Sequence, residues 1–162
     1  MATYINFPSI TGESQEANHT GWVEVNSISL PISRSIVSGA TGVARAGTTT
    51  LGDIAVHKSW DSSSPAIWAR VGSGKNNDPV TIELCSDLGG NTVCNLQLVL
   101  NNCIHSSYSL SASGDMSPTP SELITLNYSK LSWTYTPYKA DGTAGGAVQA
   151  SVDTDTGATS GD

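Results

Sequence analysis

Positive charge is scarce in this chain: 7 Lys and Arg stand against 14 Asp and Glu, a formal net charge of −7. Bases this few leave no footprint to neutralise phosphates or anionic headgroups, so nucleic acid and membrane surfaces are excluded as partners. Charged residues of either sign make up only 13%, alongside 16 glycines. That composition excludes the Glu-, Lys- and Ala-rich helices of bundles and coiled coils. No apolar run approaches the roughly 18 residues of a spanning helix, so no membrane insertion is expected. Residues 1–8 hold no Lys or Arg and no apolar stretch, and Glu13 and Glu16 come early. The expectation is a chain made in the cytoplasm without a signal peptide, any export using another route.

Cysteine is also sparse. Cys85, Cys94 and Cys103 form no C-x-x-C pair and have no His at ligand spacing, so no zinc site is expected. A turn at Asp87-Leu88-Gly89-Gly90-Asn91 invites a bridge from Cys85 to Cys94 across a hairpin. Strand parity argues against it: matching Val80, Ile82 and Leu84 to Leu96, Leu98 and Leu100 pairs even with even positions. Cys85 then lies on the face opposite Cys94. Without a bulge no disulfide forms, and the reading is of reduced structural cysteines with Cys94 in the core.

What the sequence does contain is period-two alternation, punctuated by turn residues at short intervals, the pattern of a β-rich sandwich or barrel. The fold class is mainly β: a small two-sheet barrel or sandwich with one short flanking α-helix at about residues 64–73. Strands are expected near residues 4–8, 22–32, 52–59, 80–85, 93–103, 107–111, 123–128 and 130–136. In the second of these, Val23 and Val25 share a face, and a one-residue bulge near Asn26-Ser27 would bring Ile28 and Leu30 to it, sending Glu24 and Ser29 outward. Residues 33–52 lack a sustained period and read as an extended loop, unusually long for a compact domain. The helix is marked by Ser63-Ser64-Pro65 at its start and Gly72 or Gly74 at its end. With 162 residues and 16.8 kDa the chain forms one domain, residues 1–140, and a Gly/Ala/Thr/Asp-rich tail, residues 141–162. Composition alone reads that tail as disordered unless contacts hold it.

Fragments of catalytic motifs dissolve on inspection. Gly12-Glu13-Ser14-Gln15-Glu16 lacks the last glycine of a nucleophile elbow and its strand-to-helix context. Gly72-Ser73-Gly74-Lys75 follows a helix instead of opening one, and Asn76 stands where a phosphate loop needs Ser or Thr. Asp153-Thr154-Asp155-Thr156-Gly157 has its glycine one place early for a calcium loop. His19, His57 and His105 are scattered, with His57 on an outward strand face. Asn18-His19-Thr20 and Asn127-Tyr128-Ser129 match glycosylation acceptors, which carry no weight without a secretory signal. No catalytic residue, cofactor or metal ligand is expected, and the chain does not read as an enzyme.

Several segments taken together carry more information. Ile10-Thr11-Gly12-Glu13-Ser14 follows a first strand, His19 precedes Val23-Glu24-Val25, and Ser29 is flanked by Ile28 and Leu30. Asp53-Ile54, Lys58, Asp61, Ser64-Pro65 and Ser73-Gly74-Lys75 come next, then Leu126-Asn127-Tyr128, Lys130, Trp133-Thr134-Tyr135 and Ala140-Asp141-Gly142. In order and spacing they span roughly residues 5–148 and resemble the Hcp (haemolysin-coregulated protein) family, the tube subunit of bacterial type VI secretion systems.

The resemblance implies a barrel assembled as a homohexameric ring, with rings stacked into a tube that a contractile sheath propels from the cell. Its implied partners are further copies of itself, the sheath, baseplate and spike of the apparatus, and effector proteins held in the lumen. Assembly would be cytoplasmic and the protein then secreted. On this reading residues 33–52 reach onto the neighbouring subunit through Arg34, Ile36, Val37, Val43, Arg45 and Leu51, while Ser29 and Glu24 face lumen and effector. Subunit contacts could order the tail. A different class, a free-standing exported β-sandwich that binds carbohydrate, also suits the hydroxyl-rich strands; it would be a monomer with a concave aromatic patch.

Overall fold

A computed structural model describes residues 1–39, 42, 44–114 and 119–161. Alternating apolar positions form the strands β1 (Ala2–Asn6), β2 (Val23–Val25), β3 (Ser27–Ser29), β4 (Ile32–Ser38), β5 (Ala44–Leu51) and β6 (Ile54–Ser59). The helix α1 (Ser64–Ser73) comes next, followed by β7 (Val80–Leu88), β8 (Asn91–Asn101), β9 (Ile104–Ser111), β10 (Ser121–Asn127), β11 (Lys130–Tyr135), β12 (Val148–Asp153) and β13 (Thr159–Ser160). Among the described residues, seven strands make one sheet in the order β13-β12-β11-β8-β7-β1-β2, four make a second in the order β3-β6-β10-β9, and β4 and β5 pair only with each other. Every pairing is antiparallel.

Inward residues of both large sheets merge into one core that includes Ile5, Val23, Ile54, Val56, Ile82, Leu100, Ile124 and Leu126. Each such side chain contributes about 1.5–3 kcal/mol by leaving water. Ile67 of α1 enters the same core. Pro65 lies in the first turn of α1, and Gly74 ends the helix in the left-handed conformation, its N–H returning to the Arg70 carbonyl at 3.0 Å. The N-cap is Ser63, and its hydroxyl bonds Asp61 rather than a helix N–H. No helix among the described residues is long and apolar enough to cross a membrane.

Four expectations need correction. The bulge near Asn26-Ser27 is a break at which the chain leaves one sheet for the other: Val23 and Val25 belong to the seven-stranded sheet, and Ile28 pairs with Val56 in the four-stranded one. Within residues 33–52, where the sequence reads as a loop, β4 and β5 pair as a hairpin. Nearly all of its residues are exposed, so burial imposes no hydrophobic period on it and pattern reading passes it over. Residues of the tail are strands: β12 pairs with β11 and β13 with β12, which supplies the backbone partners that composition could not reveal.

The fourth correction concerns the cysteines. Parity holds as far as Val80↔Leu100, Ile82↔Leu98 and Leu84↔Leu96; the register then shifts, and Cys85 faces Cys94 and is disulfide-bonded to it. Asn95 is the extra residue. Its carbonyl accepts the Thr136 N–H at 2.8 Å, which satisfies an acceptor the bulge frees, and its side-chain oxygen accepts the Ser86 hydroxyl at 2.8 Å. Cys94 is partly exposed rather than in the core, and Cys103 is the buried free thiol.

Between β1 and β2 the chain folds back on itself at Gly12, whose N–H donates to the Gly21 carbonyl at 2.7 Å. A Cβ on Gly12 would lie 2.3 Å from the Trp22 carbonyl oxygen and 2.7 Å from the Val23 Cα, both backbone atoms that cannot swing aside. Gly12→Ala is expected to cost about 1–3 kcal/mol of stability, in the range of overpacked sites. Urea unfolding checks this, and an unchanged midpoint would refute the contact.

Candidate functional site

The β4–β5 hairpin stands on residues of the core and ends in solvent. Leu51 is buried at its base, so it belongs to the chain's own core, whereas Ile36 is 73% exposed and Val37 57% exposed. The strands slip between Arg34↔Thr49 and Ile36↔Ala46, and Gly47 lies close to the opposite strand there: a Cβ would lie 2.2 Å from the Ser35 hydroxyl oxygen, which would have to rotate away. Arg34 donates through Nε to Thr49 Oγ1 at 2.9 Å. Arg45 is exposed, and among the described residues no hydrogen bond or ion pair holds its guanidinium. Val43 lies outside the described residues. At the hairpin's root, Ile28, Leu30, Ile32, Leu96, Leu98, Leu131 and Trp133 line an apolar depression of about 290 Å³ that opens between the two sheets.

Ser29 and Glu24 are both exposed, on strands that form sheet edges. Glu24 also lines a polar hollow with Glu13, Asn26, Ser59, Trp60 and Asp61. Hydrogen bonding within the chain occupies the first carboxylate of the 153–157 fragment. Asp153 Oδ1 accepts the N–H groups of Asp155 and Thr156 at 3.0 and 3.1 Å, so that carboxylate closes a turn.

Two polar clusters were not legible as such in the sequence. In the first, the Lys58 side chain is fully buried and its ammonium reaches Glu122 Oε2 at 2.8 Å, Asp61 Oδ1 at 2.9 Å, Ser64 Oγ at 3.0 Å and the Ser59 carbonyl at 2.8 Å. Tyr108 donates its hydroxyl to the other Glu122 oxygen. Burial, and then the Glu122 carboxylate, push that hydroxyl above the ordinary tyrosine range. Burial acts to raise Asp61, but Lys58 and Ser63 outweigh it and hold the carboxyl below its usual range. Lys58, Asp61 and Ser64, all fragments of the sequence pattern, thus tie β6, α1 and β10 together.

The second cluster surrounds His19, which is 1% exposed. Its Nδ1 meets Glu16 Oε2, and its Nε2 lies 2.7 Å from Glu83 Oε2, 3.6 Å from Cys94 Sγ and 3.8 Å from Cys85 Sγ. Tyr4 stacks on the ring at 4.3 Å and Trp22 meets it edge-on at 4.8 Å, so the imidazole is fixed in place. The bond to His19 is the main cause holding Glu16 below the usual carboxylate range. The Glu16-x-x-His19 spacing is the one local signal of this cluster; Glu83 and the sulfurs arrive from more than 60 residues away.

The sequence matches the family described as type VI secretion system effector, Hcp, over residues 4–135. No curated relative matches it. Among solved structures, a type six secretion system protein superposes with a TM-score of 0.92 at 24% identity, over 98% of this chain and 99% of that one. Hcp1 from Salmonella typhimurium does so with a TM-score of 0.80 at 20% identity, over 98% of each chain. A type VI secretion system effector from Yersinia pestis does so with a TM-score of 0.74 at 19% identity, over 93% of this chain and 98% of that one. At these identities the structures share the fold, and the match along residues 4–135 goes further: the chain belongs to the Hcp family of type VI secretion system proteins.

Proposed function

We propose that this chain is a structural subunit of the type VI secretion tube, in which six copies close a ring and rings stack within a contractile sheath. The observation that carries the reading is the β4–β5 hairpin. It pairs with neither large sheet, and an isolated two-stranded hairpin is marginal in water. Its exposed Ile36 and Val37 need an apolar surface, and the depression lined by Leu30, Leu98 and Trp133 offers one that the chain itself leaves open. The hairpin of one subunit seats at that depression on the next, a head-to-tail contact that closes into a ring when the rotation is right. Arg45 adds a guanidinium fork for carboxylates or carbonyls of the neighbour.

On this reading Ser29 and Glu24 face the lumen, where exposed hydroxyl and carboxylate groups keep the bore wet and contact effector proteins. Baseplate and spike are the further partners, and the protein is assembled in the cytoplasm and leaves the cell without a signal peptide. Native mass spectrometry and light scattering test the assembly. The wild type is expected at six-subunit mass. An Ile36→Asp, Val37→Asp double variant is expected to weaken each contact on the order of 100-fold, the equivalent of about 3 kcal/mol of lost apolar burial, with its circular dichroism unchanged. Arg45→Ala is expected to weaken assembly less. A wild type that remains a 16.8 kDa monomer at all concentrations would overturn the reading and favour a free-standing binding module.

A further inference from the structure

We propose that His19, Glu83, Cys85 and Cys94 form a binding site for one zinc-class divalent cation when the Cys85–Cys94 bond is reduced, so that disulfide and metal are alternative occupants of the same pocket. One donor atom from each of the four residues lies within 4.8 Å of all the others. Around a tetrahedral zinc, with Zn–S about 2.3 Å and Zn–N about 2.0–2.1 Å, nitrogen and sulfur ligands stand about 3.5 Å apart and two sulfurs about 3.8 Å apart. His19 Nε2 already stands 3.6 and 3.8 Å from the two sulfurs. Those two distances belong to the disulfide-bonded pocket; once unbonded, the sulfurs must separate, which rotation about their Cα–Cβ bonds allows. Glu83 Oε2, now 2.7 Å from Nε2, must withdraw by roughly 0.7 Å to take the fourth corner.

The surroundings are those of a metal site. Metal-bound imidazoles generally hold their second nitrogen against a carboxylate or carbonyl, which fixes which nitrogen faces the ion. Glu16 does this for His19 Nδ1, and Gln97 Nε2 donates to the free Glu83 oxygen at 2.7 Å. Tyr4 and Trp22 clamp the ring without contributing a competing charge. His19 and Cys85 are buried while Glu83 and Cys94 are partly exposed, so an ion reaches the pocket from the Cys94 side. Two thiolates and one carboxylate give a ligand charge that suits a soft-to-borderline dication.

The two states interconvert with balanced chemistry. A dithiol reductant gives two electrons to the disulfide and leaves as its own disulfide; the two cysteine thiols then release their protons as the cation binds. In reverse, the two metal-bound thiolates pass two electrons to a low-molecular-weight disulfide, which leaves as two thiolates, and the cation departs with its charge unchanged.

Cobalt(II) is the probe. The full-length protein, reduced and freed of metal, is expected to take up one equivalent per chain with the thiolate-to-cobalt charge-transfer band and the intense visible bands of tetrahedral cobalt; zinc should displace it. The oxidised protein is expected to show neither. Cys94→Ser, at a partly exposed position, is expected to lose roughly half of the charge-transfer intensity, one thiolate remaining, and to weaken binding by at least about 100-fold, and Glu16→Ala to weaken it about 10–100-fold while keeping the tetrahedral spectrum. Cys103 serves as an internal control. Burial, with Asp78 adding to it, pushes this thiol to about 12, and alkylation with and without zinc should show protection of Cys85 and Cys94 alone. Absence of a thiolate band in the reduced wild type, equal binding by Cys94→Ser, or a reduced chain that unfolds and is not restored by zinc would each overturn the proposal.

Discussion

Lys58→Met is expected to lower the unfolding free energy by about 3–5 kcal/mol, the cost of leaving a buried carboxylate without its counter-charge. Both Lys58 and Glu122 have fully buried side chains, and Asp61 is only 14% exposed. The ammonium has three hydrogens for four acceptors, so it is saturated and no solvent molecule is needed to complete it. Removing it strands Glu122, which among the described residues retains only hydrogen bonds from Tyr108 and Ser64. Removing both charges is a different matter, because a buried pair recovers little more than its own desolvation cost. A Lys58→Met, Glu122→Leu double variant should therefore lose less than the sum of the two single variants, and a double-mutant cycle from urea unfolding reads the difference. A single-variant loss under about 1 kcal/mol, the worth of a solvated pair, would show the network to be screened. The site is also where helix meets sheet: Trp68 of α1 stacks on Tyr108 at 5.4 Å, so the loss should carry α1 with it.

His105 is expected to make the protein acid-labile in a defined window. It is 2% exposed, its ring lies 5.1 Å from Phe7, and among the described residues neither ring nitrogen has a protein partner. Burial, and secondarily the nearby Arg70, push it from the ordinary histidine value of 6.5 down to about 4. Between those values the unfolded chain binds a proton that the folded chain refuses, so stability falls as pH drops from 6.5 towards 4 and the loss is complete below about 4. The shift corresponds to about 3 kcal/mol. Asp61 and Glu16 work in the same direction but lower on the scale. Their folded-state values lie below 3.8 and 4.5, so the stability they confer is present above those values and lost only as pH falls below them. Comparing wild type with His105→Leu by urea unfolding at pH 7, 5.5 and 4 separates the contributions. The variant should show about 3 kcal/mol less loss across the interval, and parallel losses in both proteins would remove His105 as the cause.

Much of the architecture was legible because burial writes a period into the sequence. Val80, Ile82 and Leu84 had to meet Leu100, Leu98 and Leu96, since any odd register would turn one set of apolar side chains into water. The ends of α1 were legible because Pro65 and Gly74 act through their own backbone conformations, independently of any neighbour. The family pattern was legible as well, although the reason for its Lys58, Asp61 and Ser64 was not. The partner that makes Lys58 indispensable, Glu122, is 64 residues away on another strand.

What the tertiary structure alone decided comes down to offsets of one residue and contacts between distant segments. Asn95 is ordinary by composition, yet as an unpaired residue in β8 it reverses the parity of everything before it and sets Cys94 against Cys85. A bulge is chosen by how both strands pack and twist, and no single-strand pattern encodes that. The break at Asn26, where the chain changes sheets, has the same origin: Asn26 and Ser27 are both exposed, so the inward positions pass from Val23 and Val25 to Ile28 as the partner strand changes. The β4–β5 hairpin left no period because almost none of it is buried within the subunit. His19 lies 66 residues from Cys85 and 75 from Cys94, and the sheet order β8-β7-β1 is what folds the loop after β1 over the two sulfurs. Sequence periodicity reports which face of an element is buried, whereas the chemistry of such a cluster depends on which distant elements share that face, and only chain closure in three dimensions settles that.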